Sequence, residues 1–196
     1  MDFKANFSQI PKNIVSFLPY QKDIRLFSQD ESRFGLFPVQ RKMITLKGVK
    51  PISHVQYEFK SSYIYGAVEP KTGEHFFLEL PYLDTTCFQI YIDEFSRAYP
   101  DSFNIMLIDR GRFHRSKSLR LPCNVAFIFL PAYSPELNPI ERVWEAIKAE
   151  IANELYLTIE NLMERIASIL CSYSTANIQS LTSYPYFINA VNDVFQ

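Results

Sequence analysis

The sequence lacks the features that mark disulfide-stabilised, zinc-binding and membrane-spanning proteins. It contains only three cysteines, an odd number at wide spacing, which predicts reduced thiols rather than a disulfide framework. No two of its three histidines have the helical spacing of metal ligands, which argues against a zinc enzyme. The longest apolar run, Val125–Leu130, is far too short to cross a bilayer, and the N-terminus has no apolar signal-peptide core. We therefore expect a cytoplasmic, nucleoid-associated protein rather than a secreted one.

An excess of one charge is also missing. The formal net charge is −1, which argues against a protein whose entire surface binds nucleic acid. The positive charges are nevertheless concentrated in one segment, in which Asp109 is the only acid. The basic residues of this segment are Arg110, Arg112, Arg115, Lys117 and Arg120. A solvated loop face and a phosphate-binding surface are the two interpretations of this cluster.

The composition is that of a folded chain. Apolar residues make up 47% of the 196 residues and aromatic residues 15%, which is enough for one domain with a substantial core. Residues 1–22 show no clear periodicity and contain two prolines, which predicts a lead-in or linker. We place a single domain with C-terminal helices at residues 23–196, where no internal repeat or low-complexity segment is found.

The order of the predicted strands and helices along the chain indicates the fold class. The predicted strands are Ile24–Leu36, Met43–Leu46, Val55–Val68, His75–Leu80, Ile105–Ile108 and Val125–Leu130. The predicted helices cover Cys87–Tyr99, capped by Asp84 or Thr85, and a closing segment from Ile159, capped by Thr158, with one helical turn at Ser116–Leu119. This order predicts an α/β fold with a mixed sheet, three antiparallel strands followed by two parallel strands, flanked by helices.

Two aspartates fall where such a sheet would place a ligand site. Asp30 lies inside the first strand, and Asp109 directly follows the buried strand Ile105–Ile108. Right-handed crossovers would set these two strands parallel and side by side, and ligand sites form at the carboxyl ends of parallel strands. Glu31 neighbours Asp30, but successive strand residues face opposite sides of the sheet, so only one of these two acids can join a given site.

A loop followed by a helix, Leu130–Ala152, contains the third acid. Asn138 and Pro139 suit the cap and the first helical position, which makes Glu141 the third helical residue. The apolar residues that recur at helical spacing are Ile140, Val143, Trp144, Ile147 and Ile151. Glu141 lies at the margin of this stripe and can lean toward the sheet that the stripe covers. The alternative is a capping-box glutamate bonded to the N–H of Asn138.

Three carboxylates brought together in this way suit divalent cations. Oxygen ligands favour Mg²⁺ or Mn²⁺, and crowded carboxylates repel one another unless a cation lies between them. A pair of such ions can activate a water molecule or a 3′-hydroxyl for attack on a phosphodiester. We therefore predict a metal site at Asp30, Asp109 and Glu141.

The segments around these acids are QDESRFG at Asp30, IDRGRFHRSK at Asp109 and LPAYSPELNPIERVW at Glu141, with 31 residues between the last two acids. In these segments, their order and this compact spacing, the sequence resembles the mariner-type bacterial transposases of the insertion sequence 630 branch. The resemblance implies a ribonuclease H-like fold and a catalytic Asp, Asp, Glu triad that holds two metal ions. It also implies cleavage of DNA at the ends of a mobile element and joining of the freed 3′-hydroxyl to a TA target.

The resemblance also implies binding partners, and this sequence differs from the family pattern in two ways. Family members act on double-stranded DNA at terminal inverted repeats, and we expect a homodimer on that DNA. Residues 1–22 cannot supply the helix-turn-helix region that recognises element ends in the family, so we expect the catalytic half alone, working with a separate helix-turn-helix polypeptide, or a truncated copy. Asn commonly follows the second Asp in the family, whereas Arg110 stands here. It can contact a phosphate, or pair with Asp109 and hinder metal binding.

Candidate DNA contacts surround the triad. They are Arg110, Arg112, His114, Arg115, Lys117, Arg142 and Lys148. For His114 the alternative is a structural role in a loop or cap, and we expect Trp144 in the core rather than stacked on a base. Two other functions stay open: a non-catalytic remnant that binds DNA or a partner transposase, and a ribonuclease H-like nuclease that acts on RNA–DNA hybrids.

Overall fold

A mixed sheet of five strands lies at the centre of the protein in a computed structural model, which describes residues 3–7, 9–15, 23–36, 47–48 and 60–194. The strands are β1 (Asp23–Gly35), β2 (Ser61–Val68), β3 (His75–Leu80), β4 (Ser102–Ile108) and β5 (Val125–Phe129). The helices are α1 (Phe3–Asn6), α2 (Gln9–Val15), α3 (Thr85–Ala98), α4 (Glu141–Glu150), α5 (Ile159–Ser172), α6 (Thr175–Thr182) and α7 (Pro185–Val194). Two short 3-10 turns lie at Phe113–Arg115 and Pro135–Leu137.

The strand order across the sheet is β3-β2-β1-β4-β5. β1 pairs antiparallel with β2, and β2 antiparallel with β3, whereas the pairs β1–β4 and β4–β5 are parallel. The predicted fold class, three antiparallel strands followed by two parallel ones with flanking helices, is therefore confirmed. The strand predicted at Met43–Leu46 and the first five residues of the one predicted at Val55–Val68 lie outside the described residues.

Helices cover both faces of the sheet because each helix presents an apolar stripe to it. On one face, α3 buries Phe88, Tyr91 and Phe95 in a cluster with Phe27 and Met106. On the other face, α4 and α5 form a second cluster with apolar residues of β1 and β2. Trp144 belongs to this second cluster and is almost completely buried, as predicted.

The predicted helix caps are present at two sites. The Asp84 carboxylate accepts a hydrogen bond from the N–H of Cys87 at 2.8 Å at the start of α3. The Thr158 hydroxyl accepts one from the N–H of Asn161 at 3.2 Å at the start of α5. Each bond satisfies a backbone donor that the first turn of a helix leaves unpaired.

The two ends of the described chain pack together on the domain. Phe7 is completely buried in a third apolar cluster, and its ring centroid lies 5.7 Å from that of Phe187 in α7. Phe3–Asn6 and Gln9–Val15 form the short helices α1 and α2, which the sequence did not predict, and the division into a lead-in at residues 1–22 and a domain at residues 23–196 stays a prediction. Helices of four and seven residues are too short to show a helical period in the sequence.

The turn that follows β4 lies earlier than predicted. Its helical part is Phe113–Arg115, whereas residues 116–119 form a single turn closed by the Leu119 N–H and the Ser116 carbonyl at 3.2 Å. The Phe113 ring contacts that of Phe88 in α3, with centroids 5.8 Å apart, and this tertiary contact fixes the position of the turn. The three cysteines are unpaired, and in the described part of the chain no helix is long and apolar enough to cross a membrane.

Candidate active site

Asp30 and Asp109 lie level with each other on neighbouring strands. In the parallel pair β1–β4, Ser28 is opposite Leu107. Each aspartate follows two residues later, toward the carboxyl ends of these strands. The parallel, side-by-side arrangement of these two strands that the crossover argument predicted is confirmed, and the ligand site at these aspartates stays a prediction.

Glu141 is the first residue of α4, not the third. The predicted cap is wrong, because the Asn138 side chain makes no capping bond to α4. The N–H of Asn138 donates to the carbonyl of Pro135 at 2.8 Å, so it is not available for a capping box with Glu141. The glutamate carboxylate lies at the positive end of the helix dipole, where a negative charge is favoured.

Ser28 of β1 takes over the role predicted for Asn138. Its hydroxyl accepts a hydrogen bond from the N–H of Ile140 at 3.0 Å and donates one to Asn138 Oδ1. Asn138 Nδ2 in turn donates to the Gln29 carbonyl at 2.9 Å. These buried bonds tie the start of α4, and with it Glu141, to the strand that carries the first aspartate.

The three acids line one cavity of about 400 Å³. The rest of its wall consists mainly of Arg110 and the loop 130–135. The side chains that the sequence grouped as a triad are thus brought to one site, although they lie far apart along the chain.

Burial and mutual repulsion act on these carboxyl groups. Burial raises the pKa of Asp30 well above its usual value, and the nearby charges of Glu31, Glu141 and Asp109 raise it further. Burial also raises the pKa of Glu141, against the opposing effect of Lys148. A divalent cation between these groups would remove this repulsion.

Asp109 differs from the other two because a histidine holds it. Its Oδ1 lies 2.7 Å from His114 Nδ1, and the other ring nitrogen of His114 lies 3.1 Å from Glu31 Oε1. The bond from His114 lowers the pKa of Asp109. Burial alone would lower the pKa of His114, but its bonds to Asp109 and Glu31 outweigh this effect and raise the pKa to about 9. His114 is therefore protonated at neutral pH and donates to both carboxylates.

This contact changes the role assigned to His114. Only 3% of the residue is exposed and both ring nitrogens are engaged, so the structure does not favour the predicted phosphate contact. The alternative, a structural role in the loop, describes it better. Glu31 does lie on the face of β1 opposite Asp30, as predicted, yet it reaches the site through His114. The spacing of five residues from Asp109 to His114 was the sequence signal for this contact.

Trp144 contacts the site from the core. Its indole Nε1–H donates to Asp30 Oδ2 at 3.1 Å. The sequence identified Trp144 as a core residue but carried no sign of this bond, which orients the first aspartate. Its neighbour Gly66 lies opposite Asp30 on β2, where an added Cβ would be only 2.7 Å from the Trp144 ring.

The predicted DNA contacts divide into two groups. Arg110 lines the cavity, and its Nε–H donates to the Leu130 carbonyl at 2.8 Å. Within the described residues, the charged partner of Asp109 is His114 and not Arg110. The structure therefore does not show the pairing by which this arginine would hinder metal binding.

The other basic candidates lie outside the cavity wall. Arg112, Arg115 and Lys117 are exposed on the segment after β4. Arg142 is exposed on α4 and bonds Glu145 at 3.2 Å. Lys148 is half-buried, with its Nζ 5.9 Å above the Phe34 ring.

The donors in the cavity fit hard divalent cations. Carboxylate oxygens are the ligands that Mg²⁺ and Mn²⁺ prefer, and Asp30, Asp109 and Glu141 supply them. In the described ranges, no three Asp, Glu, His or Cys side chains are already grouped closely enough to hold one ion. The carboxylates would therefore have to move toward one another on binding a cation.

Comparison with known sequences gives two matches. The family described as DDE superfamily endonuclease matches residues 25–163. An uncharacterised protein of Sinorhizobium fredii (strain NBRC 101917 / NGR234), y4pE/y4sA, is 34% identical over 104 residues, which are 52% of this chain and 77% of that protein.

Solved structures with a similar fold are complexes of the Mos1 transposase. A pre-cleavage transpososome has a TM-score of 0.68 at 14% identity and matches all of this chain and 61% of its own. A paired-end complex with the left transposon end has a TM-score of 0.66 at 14% identity, covering 98% and 60%. A paired-end complex with Mn has a TM-score of 0.65 at 15% identity, covering 98% and 62%. These matches show the ribonuclease H-like fold, and the chain spans about 60% of the length of these transposase chains.

Proposed function

This chain belongs to the family of DDE superfamily endonucleases, and from that premise we propose that it cuts and joins DNA strands at the ends of a mobile element. We assign it to the mariner-type bacterial transposases of the insertion sequence 630 branch, as their catalytic domain. The observation that carries the proposal is that Asp30, in the middle of β1, Asp109, directly after β4, and Glu141, at the start of α4, line one cavity.

We assign metal binding to the three carboxylates. Asp30 and Asp109 would hold two Mg²⁺ or Mn²⁺ ions, with Glu141 as a further ligand of the second. Bound ions of this kind activate a water or 3′-hydroxyl nucleophile and stabilise the leaving oxygen of a phosphodiester. The use of these metals is supported by the Mos1 complexes solved with Mn and with Mg.

Other residues of the chain would orient these ligands. His114 donates to Asp109, Trp144 donates to Asp30, and the bonds of Ser28 hold the start of α4 against β1. Because a ligand held by a hydrogen bond loses less freedom on binding, these contacts prepare the carboxylates for the cation. Binding of the metal would then only have to bring the three carboxylates closer to one another.

The proposed substrate is double-stranded DNA. Arg110 at the cavity and the exposed Arg112, Arg115 and Lys117 are positioned to contact backbone phosphates, with Arg142 and Lys148 on α4 as further candidates. DNA binding is supported by the Mos1 structures, which include complexes with a transposon end. We further propose a TA target, a homodimer on DNA and a separate helix-turn-helix polypeptide for end recognition.

The test is a cleavage assay with Mg²⁺ or Mn²⁺ on DNA taken from the two flanks of this gene, where the proposal expects terminal inverted repeats. Asp109→Asn preserves the size of the side chain but removes its charge, and we expect it to abolish cleavage. Asp101→Asn, at an exposed aspartate in the turn before β4, is the matched control and should cleave like the parent. Equal cleavage by Asp109→Asn and the parent would contradict the assignment. Preferential cleavage of an RNA–DNA hybrid would favour the hybrid nuclease instead.

A non-catalytic module that binds DNA or a partner transposase is the second candidate. Two observations favour it: Arg110 stands where the family commonly has Asn, and the three carboxylates are not yet grouped to hold one ion. Calorimetric titration with Mn²⁺ separates the two functions. An inert module should bind no Mn²⁺ that depends on Asp30 and Glu141, whereas the proposed enzyme should lose Mn²⁺ binding in Asp30→Asn and in Glu141→Gln.

A further inference from the structure

Tyr133 is the most exposed large hydrophobic side chain in the described part of the chain. Its relative exposure is 101%, and that of Tyr82, the next tyrosine, is 66%. The remaining described tyrosines are buried or half-buried. An aromatic ring that stands completely in solvent contributes nothing to the core, so packing does not account for a tyrosine at this position.

The backbone of Tyr133 makes the choice of residue more unusual. Its φ is 57°, in the left-handed region of backbone conformations that residues other than Gly, Asn and Asp rarely adopt. The other non-glycine residue with positive φ in the described ranges is Asn153, a type that tolerates this conformation. Strained residues without a packing role are concentrated at functional sites.

Tyr133 is one of the residues that line the acidic cavity, together with the three carboxylates. The loop that carries it is held at both ends. Before it, the N–H of Leu130 donates to the Ile108 carbonyl at 2.8 Å. After it, the N–H of Leu137 donates to the Ser134 carbonyl at 3.1 Å. Pro131 and Pro135 restrict the backbone on either side. The loop therefore presents the ring in a defined place.

The wall of the same cavity also carries a positive charge. Arg110 lines it, and within the described ranges the guanidinium uses one of its five N–H donors, on the Leu130 carbonyl. An aromatic face and a guanidinium beside one cavity match the two parts of a nucleotide, the base and the phosphate. A base that is paired and stacked in a duplex does not offer its face to such a ring, whereas an unpaired base does.

We propose that Tyr133 stacks on an unpaired nucleobase next to the phosphodiester that enters the acidic cavity. It is a positioning residue that selects DNA with a frayed, overhanging or flipped base at the reacting strand, whatever the identity of that base. That the ligand is DNA rests on the proposed function. A second copy of this chain covering the ring is the competing occupant, and the experiment distinguishes it.

The test uses the full chain and a DNA hairpin with a short 3′ overhang that contains the fluorescent base 2-aminopurine. Ca²⁺ replaces Mg²⁺ so that binding is measured without turnover. Stacking on tyrosine quenches 2-aminopurine, and the parent should quench it on the overhang but not within a paired duplex. Tyr133→Ala should abolish the quenching and weaken overhang binding by about 5- to 150-fold, the range for loss of one stacked base. Tyr133→Phe should retain both.

Two further variants show whether a loss of quenching comes from the missing ring itself, from a change in the stability of the fold, or from the removal of any exposed tyrosine. Tyr133→Gly removes the ring and the backbone strain together, so it should melt at a higher temperature than the parent yet fail to quench. Tyr82→Ala removes another exposed tyrosine that does not line the cavity, and it should quench like the parent. Sedimentation of each variant gives its oligomeric state.

Quenching by Tyr133→Ala equal to that of the parent, or no binding of the overhang by the parent, would overturn the proposal. So would a change of oligomeric state in Tyr133→Ala with DNA binding intact, because the ring would then contact a second copy. Cleavage of the same DNA by the parent with Mn²⁺ is measured separately. Tyr133-dependent quenching without cleavage would support the stacking role and count against the proposed enzyme alone.

Discussion

At the scale of single residues, His114 connects two carboxylates that belong to different parts of the fold. One ring nitrogen contacts Asp109 at the end of β4, and the other contacts Glu31 on the face of β1 turned away from Asp30. The residue is therefore buried between a candidate metal ligand and an acid that cannot reach the cavity itself. Its function, on this geometry, is to orient Asp109 rather than to contact DNA.

Replacing His114 with alanine tests this orienting role. His114→Ala removes the donor that orients Asp109 and also a positive charge that repels a cation; we expect the loss of orientation to dominate and the affinity for Mn²⁺ to fall about 10- to 100-fold, as for other hydrogen-bond partners of metal ligands. Isothermal titration calorimetry measures the change. His75→Ala is the control, since that half-buried histidine contacts the Gly73 carbonyl and does not line the cavity. Unchanged Mn²⁺ binding in His114→Ala would show that Asp109 needs no such partner.

At the scale of elements, β2 and α4 approach each other closely at Gly66. An added Cβ would lie 2.7 Å from both the Trp144 ring and the Phe77 ring. The same indole donates to Asp30, which faces Gly66 across the β1–β2 pair. The absence of a side chain on β2 thus makes room for the ring that orients the first aspartate.

Gly66→Ala should destabilise the fold by about 1–3 kcal/mol, the usual cost of overpacking a core, because the indole must move. Urea denaturation monitored by circular dichroism gives the free energy of unfolding. The control measures the same substitution in a protein that already carries Trp144→Phe. Phenylalanine lacks the ring atom that the new methyl group would contact, so Gly66→Ala should cost less stability in that protein. Equal costs in the two backgrounds would mean that Gly66 does not make room for Trp144.

At the scale of the whole molecule, near-neutral net charge is combined with a local concentration of positive charge. The exposed Arg112, Arg115 and Lys117 lie on the segment that directly follows the second aspartate. The structure therefore exposes a group of positive charges on the segment that begins at Asp109 and Arg110, two residues of the cavity wall. This arrangement would direct a phosphate backbone to one edge of the sheet.

Salt dependence measures how many of these charges bind DNA phosphates. Replacing Arg112, Arg115 and Lys117 with glutamine should reduce the slope of log affinity against log salt concentration by about 0.9 for each phosphate that the protein no longer neutralises. Fluorescence anisotropy over a range of KCl concentrations gives the slope. Arg97→Gln, at the exposed C-terminal end of α3, is the control and should leave it unchanged. A slope unaffected by the triple replacement would assign that segment to a solvated loop.

The sequence by itself determined the features that depend on local periodicity. The buried runs Ile105–Ile108 and Val125–Leu130, the stripe of α3 and the caps Asp84 and Thr158 are each set by neighbours a few residues away. The order of these elements then determined the mixed sheet and the edge at which Asp30 and Asp109 lie, because crossover handedness leaves few topologies.

The tertiary structure alone decided the contacts that complete the site. Ser28 bonds Asn138 across 110 residues, His114 bonds Glu31 across 83, and Trp144 bonds Asp30 across 114. A local pattern favoured Asn138 as the cap, but in the folded protein the Ser28 hydroxyl accepts from the N–H of Ile140 at the start of the helix and the Asn138 side chain bonds the strand. No periodicity records such pairs, since their energy depends on which groups become buried next to one another once the sheet and helices have packed.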